Sequence, residues 1–166
     1  MSQDRNKILI VDDEETNLST LQKILGNEYD LFLASEGGIA IEIAIEKLPD
    51  LILLDIAMPD ISGHEVCKIL KSNPDTLHIP IIFISAMIET ADEEFGFSLG
   101  AVDYITKPIR PGIVRATVKT HLSLVRMQEL KKTRLQIIHS LSFAAEYKDN
   151  ETGHHVLRMS HYSKIL

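Results

Sequence analysis

Five side chains placed at the ends of apolar runs could together carry out phosphoryl chemistry. In KILIVDDEETN, residues 7–17, four apolar residues lead directly into Asp12 and Asp13, with Glu14 and Glu15 next. LILLD ends in Asp55, IIFIS ends in Ser85, and DYITKP carries Lys107. Adjacent carboxylates repel. At about 4 Å and an effective dielectric of about 20, each pair costs roughly 4 kcal/mol. Either the acids all face water or a cation lies between them. An all-oxygen donor set suits a hard divalent cation, and Mg2+ takes few carboxylates while completing its octahedron with water and phosphate oxygens. Beside such an ion Asp55 could attack phosphorus and form an aspartyl phosphate. Lys107 could balance one phosphoryl oxygen as a point charge, and Ser85 could hydrogen-bond another. Phosphoryl transfer asks chiefly for this kind of positioning and charge neutralisation. Singly, each residue reads as a strand-end cap or an exposed side chain; the conjunction is the signal.

Such a site needs four separated segments to end on one edge. Apolar runs at 8–11, 29–34, 51–54, 79–84 and 101–105 are short and nearly continuous, as strands are when both sheet faces are covered. Helical patterns lie between them. Leu18, Leu21, Ile24 and Leu25 share one face; Ile41, Ile43, Ala44 and Leu48 mark a second helix; Val66, Ile69 and Leu70 a third; Phe95 and Leu99 a fourth. Gly26, Pro49, Pro74 and Gly100 mark helix ends. Alternation of this kind implies a parallel sheet with helices on both sides, and open sheets of that type bind ligands at the carboxyl ends of their strands. That edge receives Asp12 and Asp13 from the first strand, Asp55 from the third, Ser85 from the fourth and Lys107 from the fifth. The second strand delivers nothing distinctive. After Pro108 the strand pattern stops, and residues 111–147 read as one long helix or two joined helices.

The stretches ILIVDDEETN, LILLDIAMPDISGHEV, PIIFISA and GAVDYITKPI, with their spacing, resemble the receiver domain of two-component response regulators over residues 5–125, within a domain read as 1–125. The resemblance implies an α/β, flavodoxin-like, doubly wound five-stranded parallel sheet of order 2-1-3-4-5, here with a long C-terminal helical extension. It implies that Asp55 accepts phosphate from a sensor histidine kinase. It implies Asp12, Asp13, Asp55 and the backbone carbonyl of Ala57 as Mg2+ ligands, with Ser85 and Lys107 completing the reacting group. Tyr104 matches the family's switch aromatic, which rotates as Ser85 moves to meet the phosphoryl group, and Pro59 and Gly63 match the loop that shapes the site. His64 and His78 are expected on the surface, and Met58 and Met87 in loop packing. A haloacid-dehalogenase-like phosphatase also uses a nucleophilic Asp, a Lys and magnesium, but wants a second Asp where this chain has Ala57.

The remaining composition narrows the setting. The chain is 166 residues long, 45% hydrophobic and 25% charged, which suits a packed domain with an extension. It shows no leader pattern and no apolar run long enough to span a bilayer. A single cysteine, Cys67, read as a half-buried helix residue, favours a reducing cytoplasmic location. Residues 1–107 hold 7 Lys/Arg against 20 Asp/Glu, and residues 108–166 hold 10 against 4. An acidic body and a basic tail allow docking between them or an acidic partner, but no helix-turn-helix pattern supports a DNA-binding regulator. Residues 126–147 read as a linking helix, and residues 148–166 as the start of another domain. There DNETGHHVLRMSHYS resembles the first motif of HD-GYP domains, metal-dependent phosphohydrolases of cyclic di-GMP. By that resemblance Glu151 and His155, four apart on a helix, would be ligands of an iron-type or manganese-type centre. The later His-Asp pair and Gly-Tyr-Pro motif are missing from the 166 residues, so the reading is an incomplete output domain without enzymatic activity of its own. Apolar residues of this tail, Ile137, Leu141 and Phe143 among them, predict self-association as a dimer. A standalone receiver acting only through protein contacts is the other reading.

Overall fold

Five strands, β1 (Lys7–Val11), β2 (Asp30–Ala34), β3 (Leu51–Asp55), β4 (Ile81–Ser85) and β5 (Asp103–Thr106), alternate with five helices in the computed structural model. The helices are α1 (Glu15–Leu25), α2 (Gly37–Lys47), α3 (Gly63–Ser72), α4 (Thr90–Ser98) and α5 (Pro111–Tyr162). The structure describes the backbone of residues 5–86 and 90–162 and the side chains of residues 5–86 and 94–143. All strand pairs are parallel, in the order β2-β1-β3-β4-β5.

The central strands are apolar on both faces because both faces are covered. Leu9, Val11, Ile52, Leu54 and Phe83 pack with Ala40, Ala44, Val66, Cys67 and Leu70 from α2 and α3. Their neighbours Ile8, Ile10, Leu51, Leu53, Ile82 and Ile84 point the other way, onto Leu18, Leu21, Leu25 of α1 and Val114, Val118 of α5. Burying each such side chain contributes about 1.5–3 kcal/mol, so a slip of one residue in any central strand would exchange the two cores at large cost. Register is thereby fixed, and it sets the site: Val11 pairs with Leu54, Asp55 with Ile84, and Ser85 with Thr106.

Helix ends are tied down both by their own residues and by groups from elsewhere in the chain. Ser62 and Glu65 form a reciprocal capping box on α3. The Asp60 carboxylate accepts the Gly38 amide at the start of α2, 3.2 Å away, where Glu36 supplies no side-chain cap. Arg115 of α5 donates through Nε to the Ile24 carbonyl near the end of α1.

Several residues sit differently from the sequence reading. In α3 the buried stripe is Gly63, Val66, Cys67 and Leu70; Ile69, one position off it, is 46% exposed, whereas Cys67 is fully buried. Phe95 of α4 is 51% exposed, because Gly96 takes the inward position. Leu48 ends α2 in a left-handed conformation at φ 45° and is exposed rather than on the packed face. His78 is exposed as expected and Met58 is in the core, while His64 is only partly exposed. Its ring lies edge-on to Phe83 and Phe95, with centroids 5.1 Å from each. Met87 lies outside the described residues.

Residues 1–122 form one compact unit and residues 123–166 a second. α5 runs without a break through Asn150 and Gly153, into the stretch read as the start of another domain. Among the described residues no helix is long and apolar enough to cross a membrane.

Candidate functional site

The strand register brings Asp12, Asp13 and Asp55 together: one carboxylate oxygen from each lies within 4.8 Å of the other two. Asp12 and Asp55 are buried, at 0% and 2% exposure, while Asp13 is exposed. Lys107 reaches over from the end of β5, its Nζ 3.0 Å from Asp12 Oδ2 and 3.2 Å from Asp55 Oδ1. Its backbone amide donates to the Ser85 carbonyl at 2.7 Å, which locks the turn after β5 to the end of β4, and its bond to Pro108 is cis. A cleft of about 390 Å³ opens onto the group and is lined by Asp13, Glu14, Asp55, Ile56, Ala57, Ser85, Ala86 and Lys107. Every residue expected at the phosphoryl and metal positions, except buried Asp12, lines this cleft.

Two buried acids facing one lysine leave an imbalance of charge. Burial, and then the Asp12 carboxylate, push the Asp55 pKa up against the opposing pull of Lys107. Burial works against the charge on Lys107, but Asp12 and Asp55 outweigh it and hold the ammonium above its usual value. Asp12 Oδ2 is buried, with the Lys107 ammonium 3.0 Å away as a counter-charge that Asp55 shares. Three carboxylates served by one lysine, open to water on the Asp13 side, fit a hard oxygen-seeking dication.

The loop after β3 wraps tightly around Asp55. Gly63 donates its amide to the Ile56 carbonyl at 2.9 Å, and a side chain at Gly63 would overlap the Asp55 carbonyl oxygen. Glycine is needed there for close approach of two backbones. Ala57 lies on the cleft wall, where its position suits a backbone ligand. Tyr104 on β5, two strands from β3, packs its ring on Phe83 (5.4 Å) and Phe97 (5.2 Å). Phe83 thus touches both Tyr104 and His64.

Asn17 and Asp60 were missed by the sequence reading. Asn17 Nδ2 donates to Asp12 Oδ1 at 3.0 Å, and Asp60 braces the site loop against α2. The available signal for Asn17 was an amide on the third residue of a helix that begins just after the acidic pair. The side chains of Glu151 and His155 lie outside the described residues.

Residues 8–119 match the family model described as response regulator receiver domain. A Vibrio cholerae protein named probable cyclic di-GMP phosphodiesterase is 39% identical over 96% of this chain and 40% of its own length. Response regulator PleD of Caulobacter vibrioides is 38% identical over 80% of this chain and 31% of its own. The chain therefore spans well under half the length of these curated relatives. Among solved structures, a CheY-like response regulator receiver domain protein from Methanospirillum hungatei JF-1 superposes with a TM-score of 0.70 at 26% identity, covering 75% of this chain and 98% of that one. A two-component response regulator from Clostridium difficile gives 0.67 at 28% identity, covering 72% and 97%.

Proposed function

The chain belongs to the response regulator receiver domain family, and from that membership we propose that Asp55 is its phosphoacceptor, charged by a sensor histidine kinase. The observation that carries this reading is the convergence of Asp12, Asp13, Asp55 and Lys107 within hydrogen-bonding and ligand-sharing distances at one cleft. A receiver is not itself a catalytic enzyme domain; the covalent step takes place on its own side chain.

In that step an Asp55 carboxylate oxygen attacks phosphorus and a new O–P bond forms. The donor's P–N bond breaks, and its electron pair returns to the imidazole nitrogen. Asp12, Asp13, Asp55 and the Ala57 carbonyl would hold Mg2+, which when bound supplies neutralisation of the transferring group and of the crowded acids. Lys107 stands where it can pair with a phosphoryl oxygen in exchange for its present contact with Asp55, and Ser85 lines the same cleft. The added charge and acceptors beside Asp55 draw Ser85 and Lys107 inward, and Tyr104, packed behind β4, follows as the switch aromatic.

The output is read from the tail. In the longer protein, Glu151 and His155 open an HD-GYP domain with an iron-type or manganese-type centre, and phosphorylation of the receiver controls hydrolysis of cyclic di-GMP. Support comes from the motif DNETGHHVLRMSHYS and from a relative bearing a phosphodiesterase name that aligns over 96% of the chain. The apolar positions of the tail hold two copies together: Met127, Leu130, Ile137 and Leu141 are each at least half exposed and recur at close to heptad spacing.

Incubation with Mg2+ and a small phosphodonor, followed by intact mass measurement, tests the assignment. One phosphoryl adduct is expected on the wild type and none on Asp55→Asn. An adduct on both moves the site elsewhere.

A further inference from the structure

We propose that Asn17 is a positioning residue of the phosphoryl-transfer site, acting through Asp12. The inference rests on the reading of the carboxylate cluster as a Mg2+ site and extends it to a residue that touches neither ion nor phosphate.

Asn17 is the third residue of α1 and is partly buried. Its Nδ2 donates to Asp12 Oδ1 at 3.0 Å, and the Glu14 backbone amide donates to the same oxygen, also at 3.0 Å. Against a carboxylate oxygen only the nitrogen end of the Asn17 amide can be turned inward. The Glu14 bond is an Asx turn, in which an aspartate side chain takes the amide two residues ahead. It satisfies the amide of Glu14, the residue that opens α1 without a side-chain cap of its own, and it sets the Asp12 carboxylate at the positive end of the helix.

The two oxygens of Asp12 divide the labour of one side chain. Oδ1 is committed to α1; Oδ2 is thereby left to Lys107, 3.0 Å away, in the cluster that Asp12 forms with Asp13 and Asp55. Asp12 is wholly buried. The Glu14 amide alone fixes one direction at Oδ1, and the carboxylate plane can still swivel about that bond. The Asn17 amide meets the same oxygen from a second direction and narrows the swivel. The swivel matters for Mg2+ because that ion demands near-ideal octahedral geometry, whereas Ca2+ accepts irregular and variable coordination. Asn17 is therefore assigned to the discrimination between the two ions as well as to the affinity for Mg2+.

The test is calorimetric titration of the full chain with Mg2+ and with Ca2+, in the wild type, Asn17→Leu and Asn17→Gln, with the metal-free thermal midpoint of each. Leu has a similar size and no donor; Gln keeps the donor on a longer arm. Asn17→Leu is expected to bind Mg2+ about tenfold more weakly, the lower end of what outer partners of metal ligands contribute, and to bind Ca2+ with a smaller loss. Asn17→Gln is expected to recover most of the Mg2+ affinity. Wild-type Mg2+ affinity in Asn17→Leu would overturn the assignment. So would equal losses for both ions with Gln no better than Leu, which is the signature of a helix start that has merely loosened. A wild-type chain that binds no Mg2+ would overturn the reading of the cluster itself, and this inference with it.

Discussion

The hydroxyl of Tyr104 occupies the space that a side chain on Gly96 would need. The ring crosses from β5 to α4 and rests where the helix has only hydrogen to present, with Phe83 and Phe97 on its flanks. Gly96 is thus the seat of the proposed switch residue. Replacing Gly96 by Ala forces the ring out of that seat, at a cost below that of a core cavity because α4 also gains helix propensity from losing a glycine. Fluorotyrosine NMR on the metal-free, unphosphorylated chain is expected to show the Tyr104 resonance displaced in Gly96→Ala. An unchanged resonance would show that the ring does not depend on this vacancy.

The raised pKa of Asp55 fixes the sign of its effect on stability. The folded state holds this proton more tightly than the unfolded chain does, whose ordinary value is 3.8. Stability therefore falls as pH rises from that value through the folded pKa, and at neutral pH the ionised Asp55 is a standing deficit. Asp55→Asn should melt higher than the wild type at pH 7. The gap should close as the pH is lowered through the folded pKa toward 3.8. Thermal melts at acid and neutral pH, without metal, check both parts.

Lys107 and a dication relieve the same repulsion, so each should matter more without the other. The elevated pKa of Lys107 means that its contribution is complete below the ordinary 10.5 and is lost only as pH passes its folded value above that. Lys107→Met should lower the metal-free melting temperature at pH 7, since it leaves Asp12 and Asp55 without their cation. The same variant should bind Mg2+ more tightly than the wild type. Melting with and without Mg2+ gives the result: a smaller metal-induced rise in Lys107→Met than in the wild type would contradict the shared role.

The second unit predicts a difference in mass. Light scattering on residues 1–166 should report a dimer and on residues 1–125 a monomer, because Met127, Leu130, Ile137 and Leu141 are exposed apolar side chains in need of cover. Identical monomeric masses would remove the tail from any role in association.

The sheet and the acidic cluster were legible because the responsible signals are local and redundant. Each strand is a nearly continuous apolar run, and each reactive residue follows its run at once, so an error of one or two residues at a boundary left Asp12, Asp55, Ser85 and Lys107 on the right edge. Helix faces are less forgiving. Ile69 and Cys67 differ by two positions, and hydropathy favours the wrong one, since Ile is the more apolar of the two while the packed stripe is set by where Gly63 lets α3 begin. Asn17, Asp60 and His64 escaped for a different cause. Asn17 reads as an ordinary first-turn residue until the position of Asp12 is known, and the partners of the other two, Gly38 for Asp60 and Phe83 and Phe95 for His64, come from distant segments. No periodicity announces a pairing across 22 residues.

The carboxylate of Asp60, set against the first amides of α2, makes that helix a gauge for the loop that holds Ala57. Whatever pulls the loop toward an incoming phosphate must stretch or preserve the Gly38 bond. Solvent exchange at that one proton therefore registers a movement whose origin is at the end of β3, and grafting this loop from another protein without its matching helix start would silence the signal.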